Sequence, residues 1–159
     1  MFNELKEEKN RLTIYFFRKR DWGMVALRQT AAQYIEGTVV SGKQLGRTIG
    51  FPTANIRLAA AYTLEKGVYG GYVFIHGKRY MGVMNVGNRP TFKDGHHVTV
   101  EVHILNFNET IYAEHIVIEP MFPIRLEKKF SGVQALIEQL KQDVQYAIGR
   151  FAQYGVYEG

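Results

Sequence analysis

The stretch Gly37-Thr-Val-Val-Ser-Gly-Lys-Gln-Leu-Gly-Arg-Thr-Ile-Gly-Phe-Pro-Thr-Ala-Asn55 decides how the rest of the chain is read. It opens like a strand, because Thr38, Val39 and Val40 are β-branched residues suited to a pleated, half-buried surface. Glycines follow at 42, 46 and 50, with Lys43 and Arg47 between them. Such a backbone can approach a ligand closely and turn its N–H groups toward phosphate oxygens, and the two cations add charge-assisted contacts. Pro52 fixes its own φ and keeps Phe51 extended, so that the Thr53 hydroxyl and the Asn55 amide are offered from a rigid turn. Both are hard oxygen ligands of the kind that suit Mg²⁺ beside nucleotide phosphates. Composition alone reads the segment equally well as an ordinary basic, glycine-rich loop of a β protein. No Walker A pattern, G-x-x-x-x-G-K-[ST], occurs anywhere in the chain.

Working outward, 159 residues fit one domain able to bury its own core. The absence of cysteine excludes disulfides, thiolate metal sites and a cysteine nucleophile, and agrees with a reducing cytoplasm. Residues 1–10 are charged rather than a signal peptide, and no apolar run approaches a membrane span. The net charge of +5 suits an anionic ligand, nucleotide or nucleic acid, without separating the two.

Asn3–Arg11 is a charged, helix-tolerant segment, Leu12–Phe17 is apolar and aromatic, and Arg18-Lys19-Arg20 reads as a solvated edge in preference to a binding patch. Asp21 is expected to cap a helix to about Gln33, with Met24, Leu27, Ala31 and Tyr34 near helical spacing. From Gly37 the pattern turns β. Gly67–Ile75 and Arg79–Val86 form a hairpin about His76-Gly77-Lys78, with turns expected at Gly87–Pro90 and Asp94-Gly95. His97–Leu105 alternates, putting Val98, Val100, Val102 and Ile104 on one face and Thr99, Glu101, His103 and Leu105 on the other. A strand is expected over Ile111–Glu119, and Pro120 and Pro123 then mark a break. Ser131-Gly-Val-Gln134 matches a capping box, opening an amphipathic helix through about Ala152 on Val133, Leu136, Ile137, Leu140, Val144, Ala147, Ile148 and Phe151. These elements predict a small β-barrel with a helix packed on it, and the lack of strand–helix repeats argues against a doubly wound fold.

For chemistry, Glu101 stands out as a carboxylate in mid-strand between Val100 and Val102. By alternation alone it is equally a solvent-facing glutamate. His103 reads as a histidine satisfied on a strand face, His96-His97 as a loop tip, and Arg125, beside Glu127 and Lys128, as part of a charge run.

The spacing G-x-x-x-G-x-x-x-G-F-P-T-A-N over 42–55 resembles that of riboflavin kinases, including the kinase module of bacterial bifunctional riboflavin kinase/FAD synthetases. Gly67–Gly70, Gly82–Phe92, Val100-Glu-Val-His-Ile104 and Ile124–Phe130 carry the resemblance further, so that it runs from Gly37 to Phe151. It implies a mainly β fold, a six-stranded Greek-key barrel with a C-terminal helix over 37–159, behind a partly helical extension over 1–36. The implied reaction is transfer of the ATP γ-phosphate to the ribityl 5′-hydroxyl of riboflavin, giving FMN and ADP. Residue by residue, the resemblance implies ATP phosphates at Gly42, Arg47 and Thr53, and Mg²⁺, with Mn²⁺ or Zn²⁺ as alternatives, at Thr53 and Asn55. It makes Glu101 the catalytic base, closes Arg125 and its loop over the flavin, and brings Asn85, Gly87 and Pro90 near the nucleotide. Asp143 falls where the family's terminal helix carries an acidic residue. Two departures bear on flavin affinity: Asn106-Phe107-Asn108 stands where many members have an Asp-rich turn, and Tyr112-Ala113 where they have Tyr-Gly. Residues 21–36 resemble the linking helix of the bifunctional enzymes, but residues 1–36 are too few for an adenylyltransferase domain, so FAD synthesis is not expected. The rival readings are a flavin- or nucleotide-binding regulator without turnover, and a basic barrel binding single-stranded nucleic acid, the less favoured of the two.

Overall fold

The alternation along 98–104 decides what lies inside. Val100, Val102 and Ile104 are buried in one cluster with Val39, Ile56, Met84, Val86, Val73 and Ile118. These side chains come from every strand of a closed antiparallel barrel. The computed structural model describes residues 13–18, 24–29, 34–62, 65–91 and 95–154. In chain order the elements are β1 (Thr13–Arg18), β2 (Met24–Gln29), β3 (Ile35–Val40), α1 (Leu45–Thr48), β4 (Ala54–Leu58), β5 (Gly67–Ile75), β6 (Lys78–Thr91), β7 (Gly95–Ile104), β8 (His115–Arg125) and α2 (Val133–Gln153). Around the barrel the order is β3-β4-β7-β6-β5-β8. The meander β5-β6-β7 is thus flanked by β4 and β8, each reached by a longer connection, which is a Greek key. No helix among the described residues is long and apolar enough to cross a membrane.

A second apolar cluster lies outside the barrel, beneath α2. Val68, Tyr72, Val83, Phe122 and Ile124 meet Ala147 and Phe151 of the helix. The Phe122 and Phe151 rings lie 5.1 Å apart at 66°, an edge-to-face contact. Along the expected apolar stripe Ala147 and Phe151 are buried, but Val133 and Ile148 are 52% and 44% exposed. Asp143, a polar residue, is buried instead.

Several expectations are corrected. Met24–Gln29 is a strand, pairing residue for residue with Thr13–Arg18. The run Thr-Ile-Tyr-Phe-Phe-Arg is β-branched and aromatic, and its cross-strand pairing overrides the helical spacing of its partner. The Asp21 cap, Lys19-Arg20, residues 1–12, Phe92 and Asp94 lie outside the described residues. Gly87–Pro90 is no turn: β6 runs on to Thr91, with Gly87 opposite Thr99 and Pro90 opposite His96, which also puts His96-His97 in β7 rather than at a loop tip. The strand expected over 111–119 begins at His115 and continues through both prolines to Arg125. Both prolines fit because β3 pairs with β8 only as far as Ile118, and because the β5–β8 register shifts past Met121 and Ile124 in that segment. A strand with one neighbour and an irregular ladder tolerates a missing N–H. The capping box does not form: Gly132 precedes α2 without a side-chain cap, and Gln134 donates to Glu138 Oε1 at 3.3 Å instead.

Phe122 is fully buried between barrel and helix. Phe122→Ala is expected to lower unfolding free energy by about 3–5 kcal/mol, measured by urea denaturation; a loss below about 1 kcal/mol would mean that α2 is not anchored there.

Candidate active site

One row of the barrel collects four of the expected site residues, Asn55, Glu101, Asn85 and Arg125. In the β4–β7 ladder Asn55 stands opposite Glu101, and in the β7–β6 ladder Glu101 stands opposite Asn85. Asn85 is opposite Val68 on β5, and Val68 is opposite Arg125 on β8. Residues opposite one another in register share a face, so Asn55, Glu101, Asn85, Val68 and Arg125 lie in line across five strands. That face is the outer one, because the neighbours Ile56, Val100 and Val102 fill the barrel.

Two clefts share Thr53, and the second of them lies over this row, whereas the first reaches the barrel interior beside Val39, Val102 and Ile104. One, of ≈ 310 Å³, lies between the glycine loop and the 107–112 segment, with Arg47, Thr53, Asn108 and Tyr112 on its walls. The other, of ≈ 250 Å³, lies between the loop, the barrel face and α2, with Thr53, Asn85, Glu101 and Arg125 on its walls and Phe51 and Phe130 among its apolar side chains. Thr53 borders both.

The loop is folded on itself rather than open. Gln44, at φ 56°, leads into the single turn α1, and Phe51 N–H donates to the Gly46 carbonyl at 2.8 Å. Gly50, at φ 87°, takes a left-handed conformation that favours glycine. A side chain at Gly42 would collide with the Asn55 carboxamide, so the loop start and Asn55 are in close approach. β4 begins at Ala54, one residue after Thr53, which places Asn55 inside a strand and not in the turn expected for it. At the other mouth of the first cleft, Gln44 Nε2 donates to the Tyr112 hydroxyl at 3.3 Å. Ala113, where the sequence departs from Tyr-Gly, is itself left-handed at φ 65°, so the departure costs roughly 1–2 kcal/mol of backbone strain.

Arg125 is not part of a solvated run. Its Nε donates to Asp143 Oδ1 at 2.9 Å, its Nη2 to Asp143 Oδ2 at 2.9 Å, and its Nη1 to the Leu126 carbonyl at 3.1 Å. Gln139 Nε2 also donates to Asp143 Oδ1, at 3.0 Å. The guanidinium is therefore fixed to the helix, and a side chain swinging freely over a ligand is the wrong picture for it. Gly87 lies on the same face near the cleft, where a Cβ would sit 3.5 Å from Glu127 Oε1. Pro90 lies farther along β6 toward its end. Sequence reading missed the partner of His103, whose Nδ1 lies 2.7 Å from the Pro52 carbonyl oxygen; its position two residues from Glu101 on the same strand face was the only signal.

Comparison with known proteins agrees with this fold. The family model described as riboflavin kinase matches residues 30–151. The chain belongs to the riboflavin kinase family. It is 40% identical over 122 residues to an RNA-binding riboflavin kinase (RibR) of Bacillus subtilis, covering 77% of this chain and 53% of that protein. It is 42% identical to the bifunctional riboflavin kinase/FMN adenylyltransferase of the same organism, covering 75% of this chain and 39% of that protein. The chain thus spans about half, or less, of the length of these curated relatives. Among solved structures, riboflavin kinase from Trypanosoma brucei superposes with a TM-score of 0.53 at 26% identity, covering 75% of this chain and 79% of that one. The barrel with its C-terminal helix is the architecture that the family resemblance implied.

The Arg125–Asp143 pair is strongly buried on the Asp143 side, at 1% exposure. Arg125→Met leaves that carboxylate without its counter-charge and is expected to cost about 3–5 kcal/mol. Urea unfolding measures this, and a cost under about 1 kcal/mol would show that the pair does not hold α2 to β8.

Proposed function

We propose that this chain is a Mg²⁺-ATP-dependent riboflavin kinase, producing FMN and ADP. The observation that carries the reading is the wall shared by the two clefts: Thr53 borders both, and Glu101 borders the second. The reaction needs a site for phosphate charge, a site for a flat apolar ring carrying a hydroxyl, and a base at their junction. Arg47 on the first cleft, the apolar side chains of the second and Glu101 on the wall of the second support this reading.

Arg47 and Thr53 contact the ATP phosphates from the first cleft, with Gly42 beside them at the start of the loop, against Asn55. The second cleft takes riboflavin, its apolar side chains covering the isoalloxazine and Arg125 forming a fixed wall. Asn85 borders the second cleft, with Gly87 near it and Pro90 farther along β6, toward the nucleotide. Thr53 and Asn55 would hold Mg²⁺, with Mn²⁺ or Zn²⁺ as alternatives. Both offer neutral oxygens, and no group of three or more His, Cys, Asp or Glu among the described residues could hold a metal by itself. That donor set suits an ion bound jointly with phosphates, whose charge it neutralises. Glu101 accepts the 5′-hydroxyl proton as that oxygen bonds to the γ-phosphorus. The bond from phosphorus to the β,γ-bridging oxygen breaks, and that oxygen leaves on ADP. We assign the activity to residues 37–159 together with Ile35 and Glu36, which open β3 and so belong to the barrel rather than to the preceding extension, and a cysteine-free chain fits a cytoplasmic setting.

The test is conversion of riboflavin by the purified chain with ATP and Mg²⁺, the flavins being separated by chromatography. FMN is the expected product. Saturable quenching of flavin fluorescence without FMN would favour a binding module without turnover, and absence of both FMN and quenching would overturn the site. Glu101→Gln keeps the side chain's shape and removes the base, so turnover should fall about 10²–10⁴-fold with ATP binding retained; near-normal turnover would refute the base assignment. Thr53→Ala should weaken productive Mg²⁺-ATP use, seen as a raised ATP KM and a lowered kcat. An unaltered dependence on both ATP and Mg²⁺ would remove Thr53 from the phosphate site.

A further inference from the structure

We infer that His103 is a positioning residue whose Nδ1–H holds the Pro52 carbonyl, and through it the Thr53 turn that separates the two clefts. The β4–β7 ladder begins, at this end, with Ala54 opposite Val102. One step further out the chain reaches Thr53 and then Pro52, which has no N–H and offers the ladder only its carbonyl. His103 captures that carbonyl with its side chain at 2.7 Å. A carbonyl only accepts, so Nδ1 carries the proton in this contact. The ring also meets Phe51 edge-on, with centroids 5.6 Å apart at 65°. Two successive residues immediately before Thr53 are thus gripped by one side chain of β7.

The grip closes a circuit. Phe51 N–H is bound to the Gly46 carbonyl, so the loop from α1 to Pro52 moves as a unit. His103 ties that unit to the strand that carries Glu101. The distance from Thr53 to Glu101 is therefore set by covalent and hydrogen-bonded connections within β7, not by the loop alone. The chemistry of the side chain is the lever that tests it.

The catalytic half of this inference rests on the kinase reading of Thr53; the structural half does not. The experiment compares His103→Phe and His103→Leu, which supply bulk without a donor, with His103→Asn, whose Nδ2 stands where Nδ1 did. Steady-state kinetics are measured alongside amide hydrogen exchange over residues 46–55, with thermal melting to verify folding. Without the donor, exchange in 46–55 should quicken. The kcat/KM for ATP should fall about tenfold or more, since small misplacements at a reacting centre carry such factors. His103→Asn should recover most of the loss. Unchanged exchange in the folded donor-less variants, or an Asn variant as impaired as they are, overturns the inference. Faster exchange with unchanged kinetics overturns its catalytic half. Should the wild-type chain make no FMN, the kinase reading fails while the exchange comparison still decides whether His103 holds the turn.

Discussion

The register of β7 is the constraint on which the rest depends. This strand is hydrogen-bonded on both sides, to β4 and to β6, and Glu101 stands at the crossing of the two ladders. Side chains alternate along a strand, so a slip of one residue would exchange the faces. Val100, Val102 and Ile104 would leave the interior, each forfeiting about 1.5–3 kcal/mol, and the Glu101 carboxylate would enter it at a cost of several kcal/mol. The hydrophobic filling of the barrel thus also aligns Asn55, Glu101 and Asn85 on its outer surface. No separate device is needed to bring the three polar residues together.

Covering that outer surface is the task of α2, and the helix covers only part of it. Phe122, Tyr72 and Phe151 form the dry contact at its C-terminal half. Farther toward its start, Asp143 binds Arg125 at the end of the five-strand row. A buried ion pair adds little net stability over an apolar pair, but it is directional. Here it fixes which face of α2 meets β8, so the space left between helix, barrel and glycine loop keeps its shape. Exposed Val133 at the helix start follows from the same setting.

Much of this was legible beforehand. Alternation over 98–104 identified the inward face correctly, because a half-buried antiparallel strand must show period two. The glycine spacing and Pro-Thr-Ala-Asn drew attention to the loop that borders both clefts. What escaped was long-range. Met24–Gln29 looks helical until its partner Thr13–Arg18 is known. Pro120 and Pro123 signal a break unless the ladder beside them is known to be one-sided and irregular. Arg125 looked solvated because its counter-ion lies 18 residues away on another element. His103 was read as satisfied on a strand face; it is, and only the fold reveals that its partner belongs to the loop before Thr53.

The shared wall has a kinetic meaning. Thr53 stands between the clefts, one bordered by the 107–112 segment and the other by α2, so each occupant has its own place. On the proposed reading both substrates are held together before phosphorus moves, and the phosphoryl group passes directly between them. Such a site has no use for a phosphorylated enzyme, so its initial-rate plots should intersect rather than run parallel. The order in which the two substrates arrive is then left to their concentrations.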